Sequence, residues 1–142
     1  LRFCLVHDTR SGFVIGGNRN QVYLNRFWNV YGYGIETVTS GQIVGGHLYA
    51  HNAFWQVGAV FGSAAYAINS RLLNNAGQAM RVAFQDGMTA PLDPSNQLVT
   101  FLSPPGDFHH SGAPAGVSVP EVPTDLDGVP FGLAPRIGVY AT

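Results

Sequence analysis

Apolar and polar residues alternate along this chain in runs of three to five, broken by Gly, Asn or Ser. Phe13-Val14-Ile15, Val22-Tyr23-Leu24, Gly34-Ile35-Glu36-Thr37-Val38, Leu48-Tyr49-Ala50, Gly58-Ala59-Val60-Phe61 and Arg81-Val82-Ala83-Phe84 are of this kind. Short period-two runs bounded by turn residues predict β-strands, and no helical period is sustained from 1 to 87. The stretch 71–83 spaces Leu72, Leu73, Ala76 and Met80 in a helix-like way. Asn74-Asn75-Ala76-Gly77 at its centre weakens a helix there.

The predicted strands recur. Val14-Ile15-Gly16-Gly17 returns as Ile43-Val44-Gly45-Gly46, 29 positions on, and Asn25-Arg26-Phe27-Trp28 returns as Asn52-Ala53-Phe54-Trp55, 27 positions on. A weaker copy is Ala67-Ile68-Asn69-Ser70, followed by Asn74-Asn75-Ala76. Aligned this way, Val22-Tyr23-Leu24 falls opposite Leu48-Tyr49-Ala50 and Leu72-Leu73. Three short strands per repeat of 23 to 29 residues, without helices, predict a parallel β-solenoid. Expected inward residues are Phe13, Ile15, Val22, Leu24, Ile35, Ile43, Leu48, Ala50, Val60 and Ile68. Asn25, Asn52 and Asn75 are expected at turns, where Asn tolerates left-handed geometry and can bond the Asn of the next rung.

These tetrads, the Asn turns and the phrases Val22-Tyr23-Leu24-Asn25 and Leu48-Tyr49-Ala50-His51-Asn52 resemble the right-handed parallel β-helix superfamily. That group holds pectate-lyase-like enzymes, polygalacturonases, epimerases and phage tailspikes. Asp125-Leu126-Asp127-Gly128-Val129-Pro130 and Pro135-Arg136-Ile137-Gly138-Val139-Tyr140 are similar to the tail "D-x-D-G-x-P/R … P-D-I-G-A-Y-E" of bacterial members. Arg136 departs from the usual Asp and Ala141 from the usual Glu. The resemblance implies a protein acting on a polysaccharide as lyase, glycoside hydrolase or epimerase, with this chain supplying C-terminal rungs. The alternative it admits is a non-enzymatic glycan-binding fibre, tailspike or surface adhesin segment, whose aromatics and Arg would serve contacts in a homotrimer. Either places the protein outside the cell or on its surface. A plain β-sandwich is the reading the repeated tetrads fit least. Phe3-Cys4-Leu5-Val6 reads as the last strand of a rung, so an upstream segment or a second chain is expected to complete the solenoid.

Composition narrows the partners. Charged residues make up 11% of the 142 positions, against about 25% in ordinary domains. All seven cations are Arg and the net charge is -1, which supplies no basic face for nucleic acid. The single Cys4 excludes an internal disulfide framework and a Cys-based zinc module. No apolar run is long enough for a membrane-spanning helix. All nine prolines fall between Pro91 and Pro135, and Pro cannot donate to a sheet ladder. Residues 1–87 are therefore expected as rungs and 88–142 as an irregular, Pro-rich C-terminal cap across the open end or along one side. Strands are expected there at Leu98–Leu102 and Ile137–Tyr140.

Candidate chemistry is sparse. Two-carboxylate glycoside hydrolysis needs acids about 5–5.5 Å or 6.5–9.5 Å apart. The repeat region offers Asp8, Glu36 and Asp86. Their repeat positions do not coincide, so they are expected to be laterally offset. Glu36 is the favoured catalytic residue, with Asp8 and Arg10 beside it. Trp28, Tyr31, Trp55 and Arg26 are the candidate substrate contacts. One member of each Phe-Trp pair faces out on an extended segment, giving an aromatic strip suited to sugar rings, to core filling or to a subunit interface. His47 and His51 flank a strand and sit about 13 Å apart. His109-His110 lacks acidic or Cys company. No metal and no cofactor are expected, and no nucleophile elbow, phosphate loop or dinucleotide fingerprint is present.

Overall fold

The computed structural model describes residues 1–38, 44–62, 67–81, 93–111, 116–133 and 135–141. Ile43, Asp86, most of the 81–84 run and Pro91 lie outside them, as does the side chain of Ile68. The strands are β1 (Leu5–Thr9), β2 (Phe13–Ile15), β3 (Gln21–Tyr23), β4 (Arg26–Thr37), β5 (Val44–Gly45), β6 (Leu48–Ala50) and β7 (Ala53–Gly62). They continue as β8 (Ala67–Ile68), β9 (Arg71–Leu73), β10 (Ala76–Gln78), β11 (Gln97–Leu98), β12 (Phe101–Ser103) and β13 (Asp107–His110). No helix occurs among the described residues.

Parallel pairing winds the first eleven strands into a β-solenoid of about three turns. One sheet runs β1-β4-β7-β10-β11 with β2 beside β4; a second is β3-β6-β9; the third is β5-β8. Among the described strands only β12 and β13 pair antiparallel, and an isolated antiparallel bridge joins Thr124 and Pro130. Successive rungs are offset by 21, 27, 23 and 21 residues at the Asn corner.

The corners hold this register. Ten non-glycine residues have positive φ, between 51° and 59°, and all fall into three vertical columns. One column is Phe3, Leu24, His51 and Asn74; the second is Asp8, Asn29, Gln56 and Ala79; the third is Arg19 and Asn69 with Gly46 between them. A left-handed residue costs about 1–2 kcal/mol without glycine, so the column persists because the neighbouring rungs hydrogen-bond around it.

Next to the first column stands the Asn ladder. Cys4 N donates to Asn25 Oδ1, Asn25 N to Asn52 Oδ1, Asn52 N to Asn75 Oδ1 and Asn75 N to Asn96 Oδ1, at 3.0–3.1 Å. The left-handed residue is thus the one before Asn25, Asn52 and Asn75, not the Asn itself. The ladder also has a fourth amide, Asn96, that the repeat did not reveal. A lesser column follows the same logic: Asn20 N donates to His47 Nδ1, and His47 N to Ser70 Oγ.

Two apolar clusters result. The interior holds Ile15, Val22, Phe27, Val30, Ile35, Tyr49, Phe54, Val57, Val60, Phe61 and Leu72, with Phe13 at its margin. Phe27 stacks on Phe54 at 4.7 Å. The other cluster lies on the outer flank, where Leu24, Leu48, Ala50, Ala53 and Ala76 meet Phe101, Phe108, Val119, Val122, Phe131, Ile137, Val139 and Tyr140. The chain after β11 therefore lies along this flank. Ile137–Tyr140 is irregular rather than a strand, and His109-His110 belongs to β13.

The expected inward placement of Leu48 and Ala50 is corrected by the register, and that of Leu24 by its left-handed corner, which turns it to the flank. Val22 pairs with Tyr49, not Leu48, and a one-residue slip moves every side chain to the opposite face. Tyr49 is interior as a result, its hydroxyl 2.7 Å from Thr37 Oγ1, and burial pushes that phenol up to about 12. The V-I-G-G tetrads are also out of register: Ile15 pairs with Thr37, whereas Gly45 N donates to Asn18 Oδ1.

Candidate ligand-binding face

On the first sheet the Phe-Trp pairs split as alternation demands. Phe27 and Phe54 are fully buried inside, and Trp28 and Trp55, paired in register, face the flank and are half-buried against its cluster. His7 pairs with Trp28 one rung earlier, and the two rings stack at 4.4 Å and 2°. That stacking uses one indole face, and Phe108 lies 6.2 Å from Trp28 on the flank. His7 thus covers one ring face of Trp28, and Trp55 rests half-buried against the flank cluster.

The exposed polar column stands beside it. Asp8 accepts from Asn29 Nδ2 and lies 2.7 Å from His7 Nδ1. The His7 contact, then the Asn29 amide, hold the Asp8 carboxyl below its usual range. Gln56 continues the column and is exposed. Two residues along β4, Tyr31 is 70% exposed. It sits at a bulge between the pairs Val30–Val57 and Tyr33–Ala59, where β4 carries one extra residue. The extra residue swings Tyr31 out of the pleat, as bulges do. Gly58 permits this: a Cβ there would lie 2.3 Å from the Tyr31 carbonyl oxygen.

Of the remaining candidates, Arg10 is exposed and its carbonyl accepts from Gly32 N at 2.8 Å. Arg26 is half-buried, and its Nε is buried with no hydrogen-bond partner. Glu36 is half-buried on β4, opposite Val14 and Gly62. Asp8 stacks on Asn29, seven residues before Glu36 along β4, with the left-handed corner at Asn29 and the bulge at Tyr31 between them. The structure therefore gathers Asp8 and Tyr31 on one face with Asn29 and Gln56, and leaves Glu36 apart.

Asn29 and Gln56 went unremarked in the sequence because they share no motif; only the register to Asp8 unites them. His47 and His51 do not converge on a common point. His47 belongs to the Asn20 column, with its Nε2 buried and unpartnered, and burial lowers its pKa. His51 turns to the flank. No group of three His, Cys, Asp or Glu side chains that could hold a metal occurs among the described residues, and no helix there is long and apolar enough to cross a membrane.

Compared with known proteins, the chain matches no family model, no curated protein and no solved structure. The fold and the face described above are therefore the ground for a functional reading.

Proposed function

We propose that this chain is the polysaccharide-binding section of a carbohydrate-recognising protein of the right-handed parallel β-helix superfamily, displayed outside the cell as part of a fibre, tailspike or adhesin. The observation that carries the reading is the face formed by exposed Asp8 and Gln56 and half-buried Asn29 beside the projecting Tyr31. Carboxylate and amide groups stacked at the rung spacing of about 4.8 Å offer donors and acceptors at intervals close to a pyranose ring. A neighbouring exposed phenol supplies the apolar surface that a sugar ring covers. Leu1, Phe3 and Leu5 are exposed on the edge of the first rung, which supports a further rung, from an upstream segment or a partner chain, seated there. Enzymatic action is the lesser reading: the rung neighbours of Asp8 (Asn29) and of Glu36 (Val14 and Gly62) include no second acid for two-carboxylate hydrolysis.

The test is affinity electrophoresis against acidic and neutral polysaccharides, with reducing ends and the ultraviolet absorbance of unsaturated uronates followed in parallel. Binding without turnover, weakened about tenfold (~1.4 kcal/mol) by Tyr31→Ala or Asn29→Ala, is expected. Turnover abolished by Glu36→Gln would replace this reading by the enzymatic one, and retention of no polysaccharide would overturn both.

A further inference from the structure

Three histidines converge on the last described stretch of the chain. His51 Nδ1 lies 3.1 Å from the Gly138 carbonyl oxygen, and His110 Nε2 lies 2.8 Å from that of Ile137. The His109 ring stacks on Tyr140 at 3.7 Å. His51 also stacks on Phe131 at 3.9 Å, so its imidazole is the bolt between the solenoid corner and the flank. Gly138 N closes the joint by donating to Asn74 O at 2.6 Å.

The protonation state of that bolt is dictated by its neighbours. A carbonyl can only accept, so His51 Nδ1 carries the hydrogen toward Gly138. Asn74 Nδ2 lies 2.9 Å from His51 Nε2, and its orientation is fixed from the other side. Val117 N donates to Asn74 Oδ1 at 2.9 Å, and Asn74 Nδ2 donates to Val117 O at 2.6 Å. Nε2 must therefore hold a lone pair. A proton there would set donor against donor, and turning the amide would break both bonds to Val117.

We propose that His51, seated between Asn74 and Gly138, is an acid-sensitive bolt, so that acidification releases residues 135–141 from the flank while the solenoid stays wound. Burial holds the imidazole down to about 4, with the Gly138 carbonyl opposing in part. His110 is lowered by burial first and then by Arg136 and His109, with the Ile137 carbonyl opposing. The other charged groups around this stretch are Arg26, Asp107, Asp125 and Asp127, which all act on Tyr140. The ordinary imidazole value is 6.5. Below it, the released state takes up a proton that the closed state refuses. Opening therefore grows by at most about tenfold per pH unit, towards a ceiling of about 300-fold over the whole titration, and more steeply if His110 follows.

Both tryptophans of the chain, Trp28 and Trp55, pack against the covered flank and report its exposure. The experiment follows tryptophan emission, far-ultraviolet circular dichroism and proteolytic cleavage of the full chain from pH 7.5 to 3.5. Emission should shift to the red, and cleavage near the C-terminus should rise, at a pH where the β signal is unchanged. His51→Asn keeps a residue suited to positive φ and removes the titration; its release should move at least one pH unit lower or vanish. Coincident loss of emission and β signal would overturn the proposal, as would an unchanged release pH in folded His51→Asn.

Discussion

In the solenoid interior, Phe27 lies on Phe54, and Val22, Tyr49 and Leu72 follow one another up a single column. On the flank, outward residues of the solenoid meet side chains drawn from the β12–β13 pair and from the irregular stretch that follows it. The interior is held by repetition. Each rung supplies the same residue position, the same left-handed corner and the same amide acceptor to the rung before it. The flank is held by particular bonds made once. Asp125 is the clearest: its Oδ1 accepts from Asp127 N and Val129 N, and its Oδ2 accepts from Ala141 N at 2.8 Å. Repetition should make the interior fail as a unit, and single ties should let the flank fail by itself.

The largest effect should come from Phe54→Ala, which empties the centre of the interior stack. A loss of about 4 kcal/mol is expected, read as a lower urea midpoint with one cooperative transition for all probes. Asn52→Ala should follow. It strips the acceptor from Asn25 N and the donor from Val22 O, and two unsatisfied buried groups cost about 3 kcal/mol. Again every probe should move together; a second transition would show that the rungs do not cooperate. Asp125→Ala should cost about 2 kcal/mol and act on the flank alone, seen as faster cleavage near the C-terminus with circular dichroism unchanged. Loss of the β signal in that variant would mean the flank supports the solenoid more than its single ties suggest. Smallest of all, Tyr31→Ala should change stability by no more than about 0.5 kcal/mol while weakening glycan retention.

The interior shows in the sequence because repetition writes itself into spacing. The Asn25 and Asn52 phrases are 27 apart and stack in register. The Val22 and Leu48 runs match best 26 apart by residue type but pair 27 apart, and period two turns that slip into a reversal of faces. Tyr49 looks like a surface residue in such an alignment and is the middle of the interior. The V-I-G-G tetrads misled for a related reason: glycines mark a bend, and bends occur at more than one place in each rung. The flank leaves no such trace. The bond from His51 to Gly138 spans 87 residues, and nothing in either local sequence announces it. Of the candidate face, Asp8 and Tyr31 stood out by residue type, but Asn29 and Gln56 join them only through register. Glu36 was favoured for lying on a strand, a criterion that carries no information about its distance from a second acid.

The Asn ladder has a direction. Each backbone N–H points to the amide of the rung that follows, from Cys4 through Asn75. At Asn96 the sequence breaks off: its N–H turns back to the Asp93 carbonyl at 3.0 Å, and Ser95 N donates to the Asp93 carboxylate at 2.9 Å. Asp93 is thus a stop. A further chain approaching this end would find the donor that should zip it on already spent, so the corner that propagates the solenoid so efficiently within the molecule is disarmed where unchecked propagation would build a fibril.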